Sequence, residues 1–244
     1  MELTGELAEI LGMFAADGCL QKDYVCMLGN IFENKDYYDK IVCPLYSKVF
    51  GINVTAYEKK SNSVYGFYVC NKKIVESFRE FGFTNNKTYT VRIPKEIINS
   101  ENSEVWKYFI RGFADFDGCF SLMKRKGKYK EFKIKFNTYP RIKINITSPL
   151  MIEDISVLLK KLNLEHTFGI EKKKNTTDSN AYWIMVRGEK NVENWIKTIG
   201  FNNPSKIVKY KVWKKFGHCP PDSNIEERKL FLEGKLRPED SYKQ

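Results

Sequence analysis

A decapeptide occurs twice in this chain, and any fold it adopts has to house both copies equivalently. "LGMFAADGCL" at residues 11–20 returns as "RGFADFDGCF" at 111–120, with Gly12 and Gly112, Asp17 and Asp117, Gly18 and Gly118, and Cys19 and Cys119 at one offset. A repeat of this kind decides architecture before any local pattern does. A second echo, "ESFREFGFTNNKT" at 76–88 against "ENWIKTIGFNNPSK" at 193–206, has a slightly larger offset. The second copy has therefore gained residues between the two echoes, and the basic stretch 124–141 is where they are expected. The chain divides into a first repeat over 1–99, a second over 100–217 and a tail over 218–244.

The local patterns repeat as well. Leu7, Ile10, Leu11 and Phe14 fall at helical spacing over 4–16, with Thr4 as the expected cap; Val105, Phe109, Ile110 and Phe113 do so over 103–116, with Ser103 as cap. Strand-like runs follow each D-G-C, then a helix (35–50; 149–162), two strands (52–60 and 64–70; 164–173 and 181–187) and a further helix (72–81; 190–199). Each half reads helix, hairpin, helix, hairpin, helix, which predicts an α+β fold with antiparallel sheets. A basic helix is expected from Pro204 to a stop at Gly217, and "IEERKLFLEGK" predicts one short closing helix in a tail that carries no recognisable chemistry.

Glycine inside a helix costs roughly 1 kcal/mol against alanine. Gly12 and Gly112 at equivalent positions, with Ala15, Ala16 and Ala114 nearby, point to close packing of the two helices on each other. Packed side by side about a pseudo-twofold axis, they would bring Asp17 and Asp117 together at their C-terminal ends. Helix C-termini carry partial negative charge and outward carbonyls, so this is a poor anion site and a good one for a hard divalent cation. Two close carboxylates can also share a proton as an acid–base dyad. The basic surroundings favour phosphate chemistry.

Those surroundings are uneven. The chain has 244 residues and a net charge of +11; residues 1–100 hold 12 Lys+Arg and 12 Asp+Glu, 101–217 hold 24 and 12, and 218–244 hold 5 and 6. A polyanionic partner is implied, and the excess that would meet it lies in the second repeat. No apolar run is long enough to span a membrane, and the N-terminus lacks a signal-peptide pattern. The six cysteines form no C-x-x-C pair and the two histidines, His166 and His218, lie far apart, so no zinc site is expected. Cys26, Cys43 and Cys70 read as buried thiols in an intracellular, reducing compartment, cytoplasm or organelle matrix.

"ILGMFAADG" at 10–18 and "IRGFADFDG" at 110–118 resemble two copies of the LAGLIDADG motif, and the element order around them is similar to that of a monomeric, two-repeat LAGLIDADG homing endonuclease. The resemblance extends over residues 1 to about 217. It implies a saddle of antiparallel sheets and hydrolysis of both strands of a long double-stranded DNA site across the minor groove, with Mg²⁺ or another divalent cation and short 3′ overhangs. It also implies that the eighth motif position, Asp17 and Asp117, is the catalytic acid, and that the carbonyls of Ala16 and Phe116 help hold metal. The sixth position is Asp115 in one copy and Ala15 in the other, and the family does not require an acid there.

The strand patterns mark a candidate DNA face. In "RIKINIT", Ile142, Ile144 and Ile146 oppose Arg141, Lys143, Asn145 and Thr147; in "EFKIKF", Phe132, Ile134 and Phe136 oppose Lys133 and Lys135. A two-stranded ribbon fits the major groove. By position, Gln21, Ser121, Met123 and Arg125 continue the face, with Asn53, Thr55, Tyr57 and Lys59 as further candidates. Asn34 and Lys35, at the expected end of the second strand, resemble a polar-basic pair of the family, and Ser148 stands at the corresponding place in the second copy. Lys87 and Lys206, in the echoed G-F-x-N segments, are the basic residues assigned to the catalytic centre. An RNA-splicing maturase and a non-catalytic DNA-binding regulator share the fold; retention of both aspartates argues against the regulator. With Met1 at the start, "SYKQ" at the end and no splice-junction residues, an intein-embedded origin is not expected.

Overall fold

The computed structural model describes residues 2–59, 63–85, 87–124, 136–171 and 181–242. Thr4 is extended and its Oγ1 accepts the Leu7 N–H at 3.1 Å, which starts helix α1 (Gly5–Asp17). The helix passes directly into strand β1 (Gly18–Leu20), which pairs with β2 (Val25–Asn30). Asn30 then caps α2 (Ile31–Tyr37) by accepting from Phe32 N–H; one π-helical turn (Tyr38–Val42) joins it to α3 (Cys43–Phe50). Strands β3 (Tyr57–Lys59) and β4 (Val64–Val69), then α4 (Lys72–Glu80), complete the repeat, and a short α5 (Lys95–Ile98) leads to the second.

The second repeat runs α6 (Ser103–Asp117), β5 (Gly118–Met123), β6 (Tyr139–Ile146), α7 (Pro149–Lys161), β7 (Thr167–Glu171), β8 (Ala181–Arg187) and α8 (Glu189–Thr198). Helix α9 (Pro204–Phe216) ends at left-handed Gly217, and α10 (Ile225–Glu233) follows in the tail. The sheets are ordered β1-β2-β4-β3 and β5-β6-β8-β7, with every neighbouring pair antiparallel. The α+β class with two matching antiparallel sheets is as the repeat predicts.

Helices α1 and α6 cross where both carry glycine. A Cβ on Gly12 would lie 2.1 Å from the Phe109 carbonyl oxygen, and one on Gly112 would lie 2.2 Å from that of Glu9. No side chain fits at either place, so the two backbones touch. The glycine after each aspartate has a different reason: a Cβ would meet the Phe14 ring at 2.1 Å from Gly18 and the Ala114 carbonyl at 2.4 Å from Gly118. Only glycine lets the strand fold back against the helix it leaves. Each repeat then buries an aromatic core behind its motif helix, with the Phe14 ring tilted against Phe78 at 4.2 Å and Trp195 packed at 6.1 Å on Phe201.

Several local expectations are corrected. The helix expected over 35–50 starts at Ile31, because Asn30 supplies the cap, and it widens into the π turn ahead of Pro44. Asn34 and Lys35 are therefore helical and not at a strand end. The strand expected over 52–60 is confined to Tyr57–Lys59, since Asn53 and Thr55 lie in an extended segment unpaired with β4. Asn102, not Ser103, caps α6, accepting from Glu104 N–H at 3.0 Å. Cys26 and Cys43 are buried, whereas Cys70 is exposed at the end of β4.

Candidate active site

The glycine contact fixes the geometry that matters, because it brings the C-terminal ends of α1 and α6 to one place. Asp17 is exposed there and Asp117 half-buried. The ammonium of Lys206, on the first turn of α9, lies in the field of Asp115, Asp117 and Asp17 together. Its Nζ donates to the Ala114 carbonyl at 2.5 Å and the Asp115 carbonyl at 2.7 Å. Burial lowers its affinity for the proton, and the three carboxylates oppose that shift.

A helix end leaves its last four carbonyls without intrahelical partners. On α6 the Ala114 carbonyl receives Lys206 and the Gly118 N–H, and the Asp115 carbonyl receives Lys206 and the Asn203 side-chain amide at 3.1 Å. None of these bonds goes to Phe116, whose carbonyl stands between them and Asp117. The donors at this end are thus carboxylate and backbone oxygens, the hard set that a divalent cation of the magnesium or calcium type prefers. Among the described residues no group of three or more His, Cys, Asp or Glu side chains could hold a metal. What this end presents is two carboxylates together with backbone carbonyls.

The sixth motif position proves to be a structural hub. Asp115 is 1% exposed and accepts Tyr37 Oη at 3.1 Å, the Asn202 N–H at 2.9 Å and the Asn203 N–H at 3.1 Å. It ties α2 of the first repeat and the G-F-N-N loop of the second to the motif helices. Beside it Glu9, 3% exposed, takes a two-pronged bond from Arg111 at 2.9 and 2.7 Å and a third from the Asn202 amide at 2.7 Å. Tyr37, Glu9 and Arg111 escaped the sequence reading; only Arg111, a charge on the face toward α1, could have signalled the pair.

A cavity of about 410 Å³ opens beside this cluster, lined among others by Asp17, Asn34, Phe116, Lys206 and Lys209. Asn34 thus reaches the site from α2. Lys35 does not: it pairs with Asp39 at 2.6 Å and lies over the Tyr65 ring. Lys87 begins a 3₁₀ turn, and its side chain lies outside the described residues, as do Arg125, Lys133 and Lys135.

The second sheet alternates as its sequence does. Ile142, Ile144 and Ile146 are buried, while Arg141, Lys143 and Asn145 face the other way. Register sets Ser121 opposite Arg141, and Arg141 Nε donates to Ser121 Oγ at 2.9 Å. Met123 extends this face and is exposed; Thr147 follows the end of β6, half-buried. Arg187 and Trp183 on β8, opposite Arg141 and Asn145, belong to the same face and were missed. Lys143 is 3.5 Å from Glu171. On the first sheet Tyr57 stacks on Tyr68, Lys59 bonds Tyr68, and Gln21 bonds Cys19 in the turn after β1. Asn53 and Thr55 are exposed beside that sheet. Ser148 is a correction: it is 0% exposed, donates to the Val91 carbonyl at 2.6 Å and caps α7, so it cannot meet DNA.

Comparison with known proteins agrees with this architecture. Residues 104–200 match the LAGLIDADG-like domain. The fold superposes on I-DmoI in complex with DNA and Ca with a TM-score of 0.57 and 14% identity, over 86% of this chain and 99% of that one. For the meganuclease I-SmaMI bound to uncleaveable DNA the TM-score is 0.56 at 12% identity, over 89% and 91%. An A-type ATP synthase subunit of Pyrococcus abyssi is 29% identical over 192 residues, which are 78% of this chain and 16% of that protein. The chain spans 10–17% of the length of the curated relatives it matches. At these identities the structural likeness is one of fold.

Proposed function

From a chain that carries a LAGLIDADG-like domain on the fold of the LAGLIDADG homing endonucleases, we propose a site-specific endonuclease that cuts both strands of a long, asymmetric duplex and leaves short 3′ overhangs. The observation that carries this reading is the glycine contact, which sets Asp17 and Asp117 at one end of a helix pair and within the field of one lysine withdrawn from water. A non-catalytic DNA-binding regulator has no need of two such paired carboxylates.

Asp17 and Asp117, with the carbonyls of Ala16 and Phe116, would hold Mg²⁺ or another divalent cation. Such an ion, when bound, makes water a better nucleophile and stabilises the leaving oxygen. The chain's own groups do the positioning. Lys206 and Asn203 hold the end of α6 so that Asp117 and the Phe116 carbonyl keep their direction. Lys206 also brings positive charge to where phosphate must approach two carboxylates, and Asn34 borders the same cavity. Arg141, Lys143, Asn145 and Arg187 supply the phosphate and base contacts of the second sheet. One chain holds both halves, so a monomer suffices, working in a reducing intracellular compartment.

The test is cleavage of a randomised duplex library with and without Mg²⁺, repeated with Asp17→Asn and Asp117→Asn. Wild type is expected to select a defined site. Each variant should lose double-strand cutting by at least about 100-fold, the scale on which charge-stabilising groups act, while still binding that site in a gel-shift assay. Full cutting by either variant would remove the aspartates from the mechanism.

A further inference from the structure

The tail beyond Gly217 has no chemical signature in the sequence, yet it delivers a charge to the active-site cavity. Arg228 of α10 is 8% exposed. Its guanidinium is fixed by bonds to Ser223 Oγ at 3.1 Å, to the Ser223 carbonyl, and to Ser205 Oγ of α9 at 3.4 Å. A reciprocal capping box between Asn224 and Glu227 sets the start of α10, and Lys229 lies 3.9 Å from Asp36 of α2. Helix α10 is therefore held between α9 and the first repeat. Arg228 and Pro221 line the cavity of about 410 Å³ that opens beside Asp17 and Phe116.

Lys209, one turn beyond Ser205 on α9, lines the same cavity. It is partly buried and makes no hydrogen bond or ion pair among the described residues. Burial and the adjacent Arg228 pull its ammonium below the ordinary lysine value. Two neighbouring cations withdrawn from water, one of them unpaired, are unfavourable until an anion joins them. The cavity has space for that anion and its hydration, since one water occupies about 30 Å³ of liquid.

We propose that Lys209 and Arg228 form a phosphate subsite of the active-site cavity, which grips the backbone of the strand passing Asp17 and Phe116. The inference rests on the nuclease reading for the identity of the anion, a DNA phosphodiester. It makes the tail part of the cutting machinery, and it has no counterpart in the first repeat, where Thr90 stands at the position of Lys209.

The test compares wild type, Lys209→Met, Lys209→Arg and a control, Lys160→Met on the exposed side of α7, for binding a fluorescein-labelled random-sequence duplex across a salt series. Thermal melts of the free proteins and cleavage of the library-selected site accompany it. Loss of one phosphate contact should flatten the slope of log affinity against log salt by about 0.9 for Lys209→Met. Lys209→Arg and Lys160→Met should keep the wild-type slope, and free Lys209→Met should melt no lower than wild type because it sheds an unpaired, partly buried charge. An unchanged slope for Lys209→Met, an equal flattening for the control, or no duplex binding by wild type would overturn the subsite. A wild type that binds but never cuts would remove the nuclease reading alone, and the slopes would still decide the subsite.

Discussion

Asp115 shows how much a single buried carboxyl can carry without touching a substrate. It receives three hydrogen bonds, yet burial outweighs them. Desolvation pushes its pKa up to about 6 from 3.8; the Lys206 charge and the Asn202 and Asn203 N–H groups pull it back, and Glu9 adds to the rise. The folded state thus binds this proton more tightly than the unfolded chain does. Its contribution favours folding below the unfolded value and is lost as pH rises through about 6. A rise of two units corresponds to about 3 kcal/mol. Urea unfolding of wild type and Asp115→Asn should therefore give a stability difference that shifts against wild type by up to about 3 kcal/mol between roughly pH 3.5 and 7. A difference independent of pH would mean that the bonds from Tyr37 and the loop already compensate the burial.

At the scale of elements, the α1–α6 pair decides both stability and the placement of the aspartates. Alanine at Gly112 would gain about 1 kcal/mol of helix propensity, but its methyl would lie 2.2 Å from the Glu9 carbonyl oxygen. The helices would have to part, at a cost of about 1–3 kcal/mol for overpacking. Gly112→Ala should thus lower the urea midpoint and reduce cleavage more than DNA binding. Gly12→Ala in the same chain should cost less than it does alone, because the gap is already open; strict additivity would argue that the helices do not move as a unit. This contact was legible in the sequence because glycine disfavours a helix interior, and a pair of them at equivalent positions is best accounted for by backbones in contact. The apolar alternation of β6 was legible for the same kind of reason, since its period is local. The roles of Asp115, Tyr37 and Ser148 were not. Each depends on a partner more than fifty residues away, and nothing in a polar residue's own neighbourhood says that it will be buried. Asn34 and Lys35 were misplaced because an asparagine cap started the helix earlier than apolar periodicity alone indicated.

At the scale of the whole molecule, the pseudo-symmetry of the backbone is not matched by the charge on its two sheets. The second sheet presents Arg141 and Arg187 opposite one another, with Lys143 next to them. The first presents Tyr57, Tyr68 and Lys59, and Lys59 has an internal partner in Tyr68; Lys35 lies behind that sheet, on α2, held by Asp39 and Tyr65. A cation already paired releases fewer counterions when DNA arrives; on the second sheet Lys143 stands near Glu171, whereas among the described residues Arg141 and Arg187 bond only the neutral hydroxyls of Ser121 and Thr167 and keep their charge available to phosphate. Replacing Arg141 and Arg187 together by glutamine should flatten the salt dependence of duplex binding by about 1.8, from two phosphate contacts at about 0.9 each. Replacing Lys35 and Lys59 should flatten it by clearly less. The comparison is to be made by fluorescence anisotropy on one duplex over one salt series, so that only the position of the lost charge differs. Equal flattening from the two pairs would show that the lobes grip the backbone alike, and the charge asymmetry between the repeats would then have to act through something other than phosphate contacts.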